Sequence, residues 1–168
     1  MNQIIADVLY KMIRTSQGNL HDIDHFLKVH AYAKLIGEKE LSDEGSRQIL
    51  EIAAILHDIA CPLCREKYGS APGGLQEIEG GPMAREFLAE FGLPASFVEQ
   101  VVYLVEHHHT LEPVTRPEHR ILLEADYLVN AEEEGHGPEL RERMAKKIFR
   151  TGAGRELFDL LYSNGEPG

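Results

Sequence analysis

Apolar residues recur three and four positions apart along nearly the whole chain, and no convincing run of strand-like alternation interrupts them. That pattern restricts the fold to an all-α architecture in which each helix buries one stripe against its neighbours. Ile4, Ile5, Val8, Leu9, Met12 and Ile13 make the first stripe, closed by Ser16-Gln17-Gly18-Asn19. Asp22 is the expected cap of a second helix through Phe26, Val29, Ala33 and Ile36, ending near Gly37. Ser42-Asp43-Glu44 opens a third, which runs through Ile49, Ile52, Ala53, Ile55 and Leu56 to His57-Asp58, where Pro62 is expected to stop it. Residues 67–74 read as an exposed loop. Further helices are expected over about 76–91, 95–108, 118–133, from Pro138 onward, and over 155–162, with a frayed tail at 163–168. With no long linker and no repeat, residues 1–168 make a single-domain helical bundle, its motif-bearing core at about 19–133 and its C-terminal helices at about 138–163.

The chain's 168 residues are enough for one well-buried core, and its shares of 43% apolar and 27% charged residues lie near globular averages. Seventeen basic side chains against 28 acidic ones leave a formal charge of −11, alongside nine histidines. A surface that negative repels phosphate backbones and acidic bilayers, so no long nucleic acid and no membrane is expected as a partner. No apolar run approaches bilayer length, and the start Met1–Asp7 lacks a cationic stretch followed by an apolar block, which makes the cytoplasm the expected compartment. Two cysteines, Cys61 and Cys64, are too few for a disulfide framework and lack the second pair that a four-thiolate zinc site needs. The oligomeric state is left open.

Several residues carry chemistry that a plain bundle does not require. His21 and His25 are four apart and share a helix face if the second helix reaches back to His21; His57 and Asp58 stand together at a helix end; Asp126 interrupts the apolar run Leu122–Val129. An ionised carboxylate among apolar neighbours costs several kcal/mol unless it is paired or bound to a cation. Imidazole and carboxylate together suit borderline divalent metals: iron, manganese, cobalt, nickel or zinc. A further cluster, Glu106-His107-His108-His109, closes the helix over 95–108, where imidazolium also favours the helix dipole. His30, His119 and His136 read as structural, Glu132-Glu133-Glu134 as a solvated face, and the basic residues from Arg141 to Arg150 as a counterweight to that acidic run.

The order His21-Asp22-Ile23-Asp24-His25-Phe26-Leu27-Lys28-Val29, then His57-Asp58, then Asp126 resembles the HD-domain superfamily of metal-dependent phosphohydrolases. The resemblance implies an all-α bundle of the HD-domain type with one ion held by His25, His57, Asp58 and Asp126, a small phosphorylated substrate, and hydrolysis of a phosphate ester by a metal-activated hydroxide. It gives Lys28 a place near substrate phosphate and makes Asp58 a bridge to a second ion in the members that bind two. Those members add two histidines. The later place falls on His108 by helical phase, or on His107, and the set Asp58, Lys28 and His108 is the expected catalytic group. The earlier place is Gln76, a neutral and poor ligand, with Glu77 next to it as a substitute. Cys61 stands where the nucleoside-monophosphate branch often has Glu. That departure speaks against hydrolysis of nucleoside monophosphates; the expected substrate is a small phosphate ester, with a nucleotide as one option, and a non-catalytic HD module with a structural metal or a sensing role is the alternative.

Overall fold

In the computed structural model, which describes residues 2–163, the Asn2 side chain accepts a hydrogen bond from the Ile4 amide and caps α1 (Gln3–Thr15). Its apolar stripe, Ile5, Val8, Leu9 and Met12, is buried. Asn19 rather than Asp22 caps α2 (Leu20–Glu40), so His21 and Asp22 lie in its first turn. The helix also passes through Gly37, because that glycine is a point of close approach rather than a stop: a Cβ there would stand 2.9 Å from Leu50 Cδ2. Asp43 caps α3 (Glu44–Leu56), whose residues from Ile49 onward are buried on every side.

Pro62 does not end a helix. It sits in the first turn of α4 (Cys61–Tyr68), where its missing N–H is not needed, and the expected loop at 67–74 shrinks to the few residues between Gly69 and Pro72. Next come α5 (Gly73–Leu88), which starts three residues before the expected Gln76, and a 3₁₀ turn at Ala89–Phe91. They are followed by α6 (Ala95–His107), α7 (Pro117–Glu133), α8 (Pro138–Ile148) and α9 (Gly152–Tyr162). Thr151 caps α9 through the Gly154 amide at 2.9 Å, starting it before the expected Arg155.

No strand occurs among the described residues, and the chain is one all-α domain. Helices α3 and α7 form the inner pair, with α2 lying against both. On the other side α6 packs on the same pair, α1 covers the flank of α3, and α5 covers α6. The C-terminal α8 and α9 close over α7. Of the expected frayed tail, all but Ser163 lies outside the described residues. Among the described residues no helix is long and apolar enough to cross a membrane.

Candidate metal centre

Helices α3 and α6 end side by side, and each ends on a histidine that satisfies its own helix. His57 Nδ1 donates to the Ala54 carbonyl and His108 Nδ1 to the Val105 carbonyl, both at 2.7 Å, filling acceptors that a helix C-terminus leaves open. With Nδ1 engaged in this way, each ring presents the Nε2 lone pair away from its helix. His25, in the second turn of α2, is set by the same logic: its Nδ1 lies 2.8 Å from Glu133 Oε2, and its Nε2 faces inward.

These rings converge on two carboxylates. His25 Nε2 is 3.2 Å from His57 Nε2, 3.2 Å from Asp58 Oδ2 and 3.3 Å from Asp126 Oδ1. His57 Nε2 is 3.4 Å from each of those oxygens. Groups sharing one ion at roughly 2.0–2.2 Å lie about 3 to 3.5 Å from one another, so the spacing fits a shared cation. Asp126 Oδ1 is buried and accepts no hydrogen bond, although two imidazole nitrogens stand beside it. Four groups that can each offer a lone pair to one point call for positive charge among them.

The ionisation of the cluster says the same. Burial alone would lower the pKa of His25 and His57, yet the Asp126 and Asp58 carboxylates push them up to about 11 and about 10. Burial works against ionisation of Asp58 and Asp126, and the surrounding imidazoles override it and hold both carboxyls below the usual range. Protons on the rings thus stand in for a cation, and a metal ion would displace them.

A second group shares Asp58. Its Oδ1 lies 3.3 Å from His108 Nε2, which is 3.2 Å from Gln76 Oε1; His109 Nε2 approaches the same amide oxygen at 2.9 Å. The Gln76 amide nitrogen donates to the Ala71 carbonyl, which fixes its oxygen toward the two rings. Asp58, His108 and His109 could hold an ion, as could His25, His57 and Asp58. Burial, then the neighbouring His108, lowers His109 to about 4, so its ring is neutral and carries a lone pair at neutral pH. Of the four residues in the first cluster Asp58 is the most exposed, and it is the group that faces both positions.

A family model described as the HD domain matches residues 22–131, well over half of the chain. The chain belongs to the HD-domain family. Searches among curated proteins and among solved structures give no match. HD domains bind divalent metals and are commonly hydrolases, and this HD domain brings together a His/Asp set suited to such an ion.

Other expected residues are placed differently. Glu77 does not join the HD-domain cluster: its Oε1 accepts from the His109 amide and the Thr110 hydroxyl, bracing the turn after α6. His107 points away, with Nδ1 on the Tyr103 carbonyl and its ring stacked on Tyr103 at 4.1 Å. Lys28 stays at the rim, 3.5 Å from Glu132 Oε2, with its side chain about half exposed. Cys61 and Cys64 are buried free thiols, and burial followed by the Asp58 charge pushes the Cys61 thiol upward.

One residue escapes the sequence reading, and a second is named there only within the histidine cluster. Glu133 is not part of a solvated face: it holds His25, while Glu132 pairs with Lys28 and Glu134 with His136. Seven residues beyond Asp126 on α7, Glu133 falls on the same face two turns later, which is the one signal that could have found it. His109 lies past the end of α6, where helical phase no longer applies.

Proposed function

We propose that this HD domain is a metal-dependent phosphohydrolase that cleaves a small phosphate ester, with a nucleotide within its range. The observation that carries the reading is the inward convergence of the His25 and His57 Nε2 atoms on Asp58 and Asp126, with their Nδ1 atoms tied outward to Glu133 and Ala54. His25, His57, Asp58 and Asp126 would hold one divalent iron, manganese, cobalt, nickel or zinc ion; Asp58, His108 and His109, with Gln76 beside them, would hold a second. When bound, such an ion supplies Lewis acidity to a phosphoryl oxygen and acidifies a water molecule.

The chain's own residues would do the rest. Asp58, exposed enough to meet substrate and set by both clusters, orients the water whose oxygen bonds to phosphorus as the ester P–O bond breaks and the alcohol leaves with a proton. Lys28, one helical turn beyond His25, carries a mobile positive charge at the rim that can exchange Glu132 for phosphate. The formal charge of −11 supports a small substrate over a long nucleic acid or an anionic membrane.

Elemental analysis of the purified protein, paired with phosphate release from nucleotides and sugar phosphates, tests this. Asp58→Ala is expected to abolish release and to lower bound metal; a protein without transition metal, whose phosphate release survives Asp58→Ala, would rule the reading out. The amide at Gln76, where two-metal relatives are expected to carry histidine, favours a second reading, a non-catalytic module with a structural ion. Metal-dependent melting without turnover on the whole panel would decide for it.

A further inference from the structure

A cavity of 270 Å³ opens beside the metal cluster, and its composition says which alcohol the ester carries; this inference rests on the phosphohydrolase reading. One wall is the cluster itself, through His108, His109 and Asp126. Leu111, Leu123, Met144 and Ile148 supply the apolar part of the lining. Tyr127, Asn130, Glu134 and His136 supply further polar groups. The volume equals that of about nine liquid water molecules, room for a ring-sized group of about nine non-hydrogen atoms.

Two features of the lining select the ligand. First, no lysine or arginine contributes to it, and Glu134 adds a carboxylate. A second phosphate or a carboxylate on the substrate would be desolvated there beside a like charge, with no lysine or arginine of the lining to meet it. Second, the polar groups are not equally free. Tyr127 Oη lies 3.2 Å from His136 Nδ1, and His136 Nε2 lies 2.9 Å from Glu134 Oε2, so these three form a chain that satisfies itself. Asn130, one turn after Asp126 on α7, makes no side-chain hydrogen bond among the described residues. Its amide offers one donor edge and one acceptor edge to whatever enters.

We propose that this cavity seats the alcohol of the ester and selects an uncharged, ring-sized alcohol whose amide-like edge pairs with Asn130. Substrates with a second anionic group are excluded by the same lining.

Three esters on one scaffold test the proposal: phenyl phosphate, 4-carbamoylphenyl phosphate and 4-carboxyphenyl phosphate, assayed with the metal-loaded protein. The carbamoyl ester is expected to have the highest kcat/KM and the carboxyl ester the lowest, each separated from phenyl phosphate by about tenfold, the scale of one hydrogen bond gained or one charge left unpaired. Asn130→Leu is expected to remove the advantage of the carbamoyl ester over phenyl phosphate, and Glu134→Lys to raise the carboxyl ester. Equal turnover of all three, unmoved by either substitution, overturns the cavity proposal and leaves the phosphohydrolase reading standing. If neither these esters nor any of the nucleotides and sugar phosphates is cleaved, that reading fails, and calorimetry with 4-hydroxybenzamide judges the cavity alone: binding that Asn130→Leu abolishes supports it, and no binding by the native chain overturns it.

Discussion

Glu133 is the residue whose role depends most on which atom of its neighbour it touches. By holding His25 Nδ1 at 2.8 Å it selects the tautomer and the ring orientation that leave Nε2 facing His57, Asp58 and Asp126. Partners of this kind are worth about 10- to 100-fold in metal affinity. Glu133→Gln is therefore expected to weaken the first ion by about that factor, whereas Glu132→Gln, which only releases Lys28 at the rim, leaves it unchanged. Competition with a metal-sensitive chelator dye measures both. At Gln76 the expectation runs the other way. Imidazole is the better ligand for a borderline metal, so Gln76→His is expected to add a second equivalent of bound metal by elemental analysis, with Asp58 and His108 already in place. The residues of the first cluster were legible in the sequence because their order, H then HD then D, survives any number of intervening residues. Glu133 was hidden inside an acidic run that composition assigns to solvent, and His109 lay two residues beyond the end of α6, whose phase favoured His108.

At the scale of elements, the positions of the helices were readable wherever apolar periodicity was long, and the errors fell on punctuation. Pro62 was expected to stop α3, but proline suits a helix's first turn as well as its end, and only the turn at residues 57–60 separates the two helices. That turn presents Asp58, so α4 is part of what positions the cluster: Arg65 on α4 pairs with Asp22 in the first turn of α2. Glycine posed the same ambiguity in α5. A Cβ on Gly80 would stand 2.9 Å from Val105 Cγ1 on α6, whereas one on Gly74 meets nothing within 4 Å. Gly80→Ala is expected to cost about 1–3 kcal/mol from overpacking, less the helix propensity gained. Gly74→Ala is expected to gain up to about 1 kcal/mol, and urea denaturation compares the pair. Between α2 and α3, buried Glu51 meets His30 Nε2 at 2.8 Å and Lys34 at 3.5 Å. Burial alone would raise the Glu51 pKa, but His30 and Lys34 bring it below its ordinary value. A carboxyl depressed in the folded state contributes stability above its unfolded pKa, about 4.3, and loses it as pH falls through the folded value. Glu51→Gln is thus expected to be less stable at neutral pH and to show a shallower loss of stability below about pH 4.3 in denaturation series across pH.

Across the whole molecule, the first cluster draws one group from each of α2 and α7 and two from the end of α3, the three helices that pack on one another at the centre. An ion there would tie together the elements that carry most of the core, while α8, packed on α7, and α9, packed on α2 and α7, supply no ligand to it. The apolar interior does not depend on it: Ile52, Ile55, Leu56, Ile121 and Leu122 are fully buried among side chains, so the bundle is expected to keep its helices when the ion is stripped. What changes is the free energy of opening. A ligand that binds only the folded state adds RT ln(1 + [L]/Kd), about 2.7 kcal/mol at a hundred times Kd, and that increment applies to every motion that must release the ion. Stripping the metal with a chelator is accordingly expected to leave far-ultraviolet circular dichroism unchanged, to lower Tm, and to speed amide exchange in α2, α3 and α7 together. Exchange in α9, whose separation from the core releases no ligand, is expected to stay the same, and a uniform acceleration across all helices would mean that the ion does not sit at this three-helix junction.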